Sequence, residues 1–239
     1  MKNSIFLKVL ACALVCMMIS CNAFADTEKQ IEFYGIPWGI SITELVDELK
    51  ERNIPVNEDN VSHDANMAIW SYEFRNSYVN DIKETGYKML LNYSGNKSAP
   101  KIAGFPLKSL EFYAHYDIAD GNLNRDENKS IYYMAEIWFD VDDEMAVSVY
   151  KDISDKLTSL YGEGKENMTF ITDTTYTYRV WNGADDTAVC LYRSESNKNN
   201  YQFVHLMYGK TNIAETLHNV RNLVIEKKIQ DISNDTTGL

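Results

Sequence analysis

Cysteine is the first scarcity in this chain. There are four, and Cys12, Cys16 and Cys21 all fall in the first 25 residues, leaving Cys190 alone in the body. A chain cut after Ala25 can form no internal disulfide, so its core must hold the fold unaided. Histidine is scarce too: His63, His115, His205 and His218 show no pair at zinc spacing and no cysteine companion. No metal site and no cofactor are expected. The G-x-S-x-G elbow, S-x-x-K, H-E-x-x-H and the glycine patterns of nucleotide loops are all missing. Positive charge is short as well, with 23 Lys and Arg against 35 Asp and Glu, net −12. A surface of that sign repels phosphate backbones, and nucleic acid drops out of the expected partners.

What is present begins with a leader. Lys2 and Lys8 form a short positive region, residues 9–19 are apolar, and Ala23-Phe24-Ala25 offers a small-residue cleavage site before Asp26. That order is a secretory signal over residues 1–25, and the apolar run is too short for a membrane span. A competing processing point is Met18-Ile19-Ser20-Cys21, a lipobox-like run that would leave a lipid anchor on Cys21 as the one membrane contact. Either way the remainder, residues 26–239, is expected to be a single exported domain, secreted or on the extracytoplasmic face of the envelope.

Three stretches carry helical periodicity. Residues 41–51 place Ile42, Leu45, Val46 and Leu49 on one stripe behind a Ser41/Glu44 capping box. Residues 143–161 repeat the rhythm and stop at Gly162, with the carboxylates of residues 140–144 complementing the helix dipole. Residues 212–227 do so behind Asn212 and Glu215. Elsewhere the period falls to two. Strands are expected at 68–75, 87–93, 107–116 and 130–139, then at 170–181, 187–193 and 201–208, with 117–129 a polar hairpin loop. Asp120 to Asp126 spaces oxygen ligands like a calcium loop but lacks its turn glycine and closing Glu, so it reads as a hairpin tip.

Strand runs between isolated helices predict an α+β fold, antiparallel sheet packed against about three helices. Its order suggests a degenerate tandem repeat of helix and meander, with halves 33–140 and 141–230. In residues 131–139 both sides of the strand are apolar or aromatic. Two readings follow: a central strand covered on both faces, or one core face with Tyr132, Met134 and Trp138 presented as a recognition surface.

The run Gly35-Ile36-Pro37-Trp38-Gly39-Ile40-Ser41-Ile42-Thr43-Glu44-Leu45, with a later helix ending at Tyr161-Gly162, resembles small exported bacterial α+β domains. The group is that of the beta-lactamase-inhibitor proteins and the small outer-membrane-assembly lipoproteins. The resemblance implies helices on antiparallel strands and an activity of protein binding; it carries no residue roles with it. The expected function is a non-enzymatic binding module whose partner, a protein or an envelope ligand, is unknown. The alternative is an extracytoplasmic hydrolase acting on glycan or cell wall through two carboxylates distant in sequence.

Overall fold

A strand needs hydrogen-bonding neighbours, and in this chain nearly all the strands find them in one antiparallel sheet. The computed structural model describes residues 29–56, 58–65, 84–96, 98–171, 173–196 and 202–234. Ile31–Leu239 forms one compact unit. Its strands are β1 (Val61–Ser62), β2 (Gly86–Asn92), β3 (Lys101–Ile102), β4 (Phe105–His115), β5 (Asp117–Ala119), β6 (Asn122–Asn124), β7 (Ile131–Phe139), β8 (Lys165–Ile171), β9 (Thr174–Asn182), β10 (Thr187–Ser196) and β11 (Gln202–Lys210). Helices α1 (Ile42–Glu51), α2 (Ala146–Tyr161) and α3 (Ile213–Asn234) complete the α+β fold.

The sheet runs β1-β2-β4-β7-β11-β10-β9-β8, with β3 beside β4, and β5–β6 form a separate hairpin. Every pairing is antiparallel. From either edge the order leads inward to the β7–β11 pair, so the two helix-and-meander stretches share one continuous sheet.

Alternation gives each face its own core. On the first face Met89, Leu91, Leu110, Phe112, Ile137, Leu191 and Leu206 pack with the buried stripes of α1 and α2. On the second, Met134, Val180, Cys190, Tyr192 and Met207 pack with Ile213 and Leu217 of α3. The central strand β7 is buried on both sides.

Several expectations shift. The strand expected at 170–181 is two strands, β8 and β9. β8 is the sheet's far edge, where Lys165, Glu166 and Asn167 remain partly or fully exposed, so its residues need not alternate. The loop at 117–129 folds into β5–β6, turning at left-handed Asp120 and Gly121. Ile118 and Leu123 face each other across that hairpin and lean on the core. α2 starts at Ala146, capped by no side chain; its upstream acids precede or occupy a 3-10 turn, Asp143–Met145. α3 continues seven residues past 227, because its polar helix formers meet no glycine or proline there. The strand expected at 68–75, with Trp70, lies outside the described residues, as do the leader and Cys21.

One buried titratable group yields a test. His115 ends β4 at 4% exposure, and its Nδ1–H donates to the Tyr116 carbonyl at 2.7 Å. Burial lowers its pKa, and the weaker opposing influences of that carbonyl and Asp117 do not restore it. The unfolded chain takes up a proton near pH 6.5 and the folded chain only at lower pH. The stabilising contribution is therefore complete above about pH 6.5 and is lost progressively as pH falls from there through the lower folded-state pKa. Denaturant titrations between pH 7.5 and 5 should show this slope, and His115→Gln should flatten it. An unchanged slope in the variant would refute the assignment.

Candidate functional site

The first turn of α1 is fixed by local chemistry. Ser41 Oγ accepts from Glu44 N–H at 3.1 Å, and the Glu44 carboxylate accepts from Ser41 N–H at 2.8 Å. The Ser41 backbone N–H first, and its hydroxyl second, hold the Glu44 carboxylate's pKa below its ordinary value. Long-range contacts then place the helix. Ser130 Oγ accepts from Ile42 N–H at 2.8 Å, while Tyr132 exchanges backbone bonds with Ile40 and Gly39 at 2.8 and 2.9 Å.

So anchored, α1 buries Ile42, Leu45, Val46 and Leu49 and leaves Thr43, Asp47 and Lys50 exposed along its flank. Beside that flank runs β1, the outermost strand of the sheet among the described residues. Between them lies a groove of about 410 Å³, walled by Ile42, Thr43, Val46, Asp47 and Lys50 on one side and Val61 and His63 on the other, with Glu127 and Asn128 also lining it. The groove is open to solvent and mixed in polarity.

His63 and Glu127 meet at one end of it, Nε2 to Oε1 at 3.1 Å. The His63 ring stands edge-on to Tyr87, centroids 5.3 Å apart. Tyr87 donates its hydroxyl to the Arg125 carbonyl at 2.5 Å, and burial, aided by Glu127, Asp126 and Asp64, pushes its pKa up to about 12. Behind it Tyr116 donates to Asp64 at 2.6 Å, and Arg125 lies 3.5 Å from the same carboxylate. These contacts fasten the end of β1 to the base of the β5–β6 hairpin.

Register decides which backbone groups of β1 face outward. Tyr116 N–H bonds Thr85 O and Tyr93 N–H bonds Lys108 O, so the odd-numbered residues of β2 bond to β4. The even ones, Gly86, Lys88 and Leu90, turn toward β1. Ser62 lies opposite Lys88 and spends its N–H and C=O there. Val61 consequently points its own away from β2.

The second face holds a different cluster. Glu111 and Glu136 are directly opposite across β4 and β7. Lys88 Nζ lies 2.6 Å from Glu111, and the Tyr113 hydroxyl donates to Glu111 at 2.8 Å and stands 3.4 Å from Glu136. Burial and the two carboxylates drive the Tyr113 pKa far up, so it stays a donor. His205 lies 3.7 Å from Glu136 and stacks on Trp138 at 4.1 Å. Tyr192 and Tyr178 extend that aromatic row across β10 and β9.

The three residues read from sequence as a recognition surface do not share a face. A register shift between β4 and β7 sets Tyr113 against Met134 but Ala114 against Tyr132, with Tyr133 the extra residue. Tyr132 is thereby in the first core and Met134 in the second, both fully buried, while Trp138 is half-buried on the Met134 face. The groove residues were not singled out from sequence. Thr43, Asp47 and Lys50 do recur at helical spacing, but nothing local links them to His63 or Glu127. Among the described residues no group of three or more His, Cys, Asp or Glu is placed to hold a metal ion.

Comparison with protein families, with curated proteins and with solved structures returns no match to this chain.

Proposed function

We propose that the chain is an exported, non-enzymatic binding module that takes a protein or envelope ligand in the groove between α1 and β1. One observation carries the reading: an apolar wall, the His63–Glu127 contact and the outer side of β1 meet in one open groove. Export rests on the positive, apolar and Ala23-Phe24-Ala25 pattern of the leader, with membrane attachment only through lipid on Cys21. The protein, immobilised and exposed to an envelope fraction, is expected to retain a component that Thr43→Arg/Asp47→Arg retains at least tenfold less. Both positions are exposed on a helix flank, so the fold should tolerate arginine. Leu160→Arg, on the exposed outer side of α2, serves as the control. Equal retention by all three proteins would end the proposal.

A second reading, hydrolysis of glycan through a carboxylate pair, draws on Glu111 and Glu136 meeting at Tyr113. It is the weaker one, because Glu136 is only 9% exposed and Lys88 and Tyr113 already engage Glu111.

A further inference from the structure

We infer that α3 pairs with α3 of a second copy of this chain, as a short parallel two-stranded coiled coil. The inference goes beyond the groove reading and shares no residue with it. A helix gains most of its stability in water by covering an apolar face. In α3 that cover ends early. Ile213, Leu217, Val220 and Val224 are buried, and every residue from Ile225 to Asn234 is exposed. The exposed turns are nevertheless not polar all round. Ile225, Ile229 and Ile232 stand 42%, 58% and 75% exposed. Asn222 and His218, both exposed, continue their line toward the start of the helix. From His218 the steps are four, three, four and three residues, the a/d seam of a heptad repeat with Asn222 and Ile229 at a.

The chemistry of that seam selects a second copy. In a parallel pair, the g residue of one strand meets the e residue five positions further along its partner. Here those residues are Arg221 and Glu226, opposite in sign, and two-fold symmetry supplies the contact twice. Among the described residues neither is engaged in an ion pair. Isoleucine at both a and d would by itself suit three strands. Asn222 at a meets the same residue of the second copy, where an amide both donates and accepts, and so favours two strands in one register. Nor does the overall charge of −12 forbid the contact, since residues 221–231 carry three cations and two carboxylates.

Geometry leaves room for the partner. At about 100° per residue, the seam lies roughly 130° around α3 from its buried stripe. The other flank, through Leu223, Lys227 and Gln230, shares a crevice with Gly121 and Asn122 of the β5–β6 hairpin. A two-fold axis along the seam therefore turns both bodies outward.

The test is sedimentation equilibrium of the intact protein from micromolar to millimolar concentration. The seam is small, so the dimer is expected toward the upper end of that range. Ile229→Asp should abolish it. Arg221→Glu and Glu226→Arg each set like charges at both g–e contacts and should weaken it about three- to thirtyfold. Mixed in equal amounts, these two variants pair opposite charges again and should regain wild-type association. A misfolded variant could not be rescued by mixing. Asn222→Cys should crosslink to itself under mild oxidation, because a positions face each other in a parallel pair; Cys190 is buried and leaves the parent chain uncrosslinked. A monomer throughout, a trimer, a mixture no stronger than its components, or an Asn222→Cys chain that does not crosslink overturns the proposal. So does a monomer that binds neutral phospholipid vesicles and loses them on Ile229→Asp, since the stripe then meets lipid. None of these outcomes bears on the groove.

Discussion

Replacing Tyr132 with alanine is expected to lower the unfolding free energy by about 3–5 kcal/mol. The ring is fully buried, 4.8 Å from Trp38 and 6.3 Å from Phe112 by centroids. Its backbone bonds the segment leading into α1 on both sides. The cavity left by alanine would thus open where helix and sheet join. Tyr132→Phe should behave in the opposite sense. Among the described residues the buried hydroxyl has no hydrogen-bond partner, and burial drives its pKa far up, so it remains an uncompensated neutral dipole. Removing it should stabilise the protein by about 1 kcal/mol. Denaturant unfolding with an unchanged m-value measures both. A destabilised phenylalanine variant would mean that the hydroxyl has a partner.

The second large effect centres on Trp181 of β9. It is 2% exposed, and its Nε1–H donates at 3.0 Å to the carbonyl of Gly162, the residue that ends α2. Trp181→Ala should cost about 3–5 kcal/mol, combining a large cavity with a released helix end. Gly164 approaches the same ring so closely that an added Cβ would lie 2.6 Å from Trp181 Cε2 and 2.9 Å from Arg179 Cγ. Gly164→Ala alone should therefore cost about 1–3 kcal/mol by overpacking. In the Trp181→Ala background most of that penalty should vanish, because the methyl group enters the vacated space. Additive losses in the double variant would show that the glycine is needed for some reason other than the ring.

The pattern of success and failure along the chain follows the range of the interactions. The Ser41/Glu44 box was legible because each bond spans three residues. The stripes of α1 and α2 were legible because a helix returns to one face every three or four residues. β8 was read poorly because an edge strand is not obliged to alternate, and the end of α3 because no breaker marks it. The bulge at Tyr133 was invisible, since a single extra residue is defined only against the partner strand β4. That one residue is what sends Tyr132 and Met134 to different cores.

The groove lies at the far limit of the same scale. His63 and Glu127 are ordinary polar residues in their local stretches, and α1 is an ordinary capped helix. Hydrophobic period and end-capping, both encoded within a few neighbours, sufficed to determine an α+β chain with antiparallel strands and three helices. Strand order, the outward aim of the Val61 backbone, and the approach of His63 to Glu127 were decided only by tertiary structure. Each depends on which strands pair and in what register, and pairing energies arise between segments that the sequence keeps far apart.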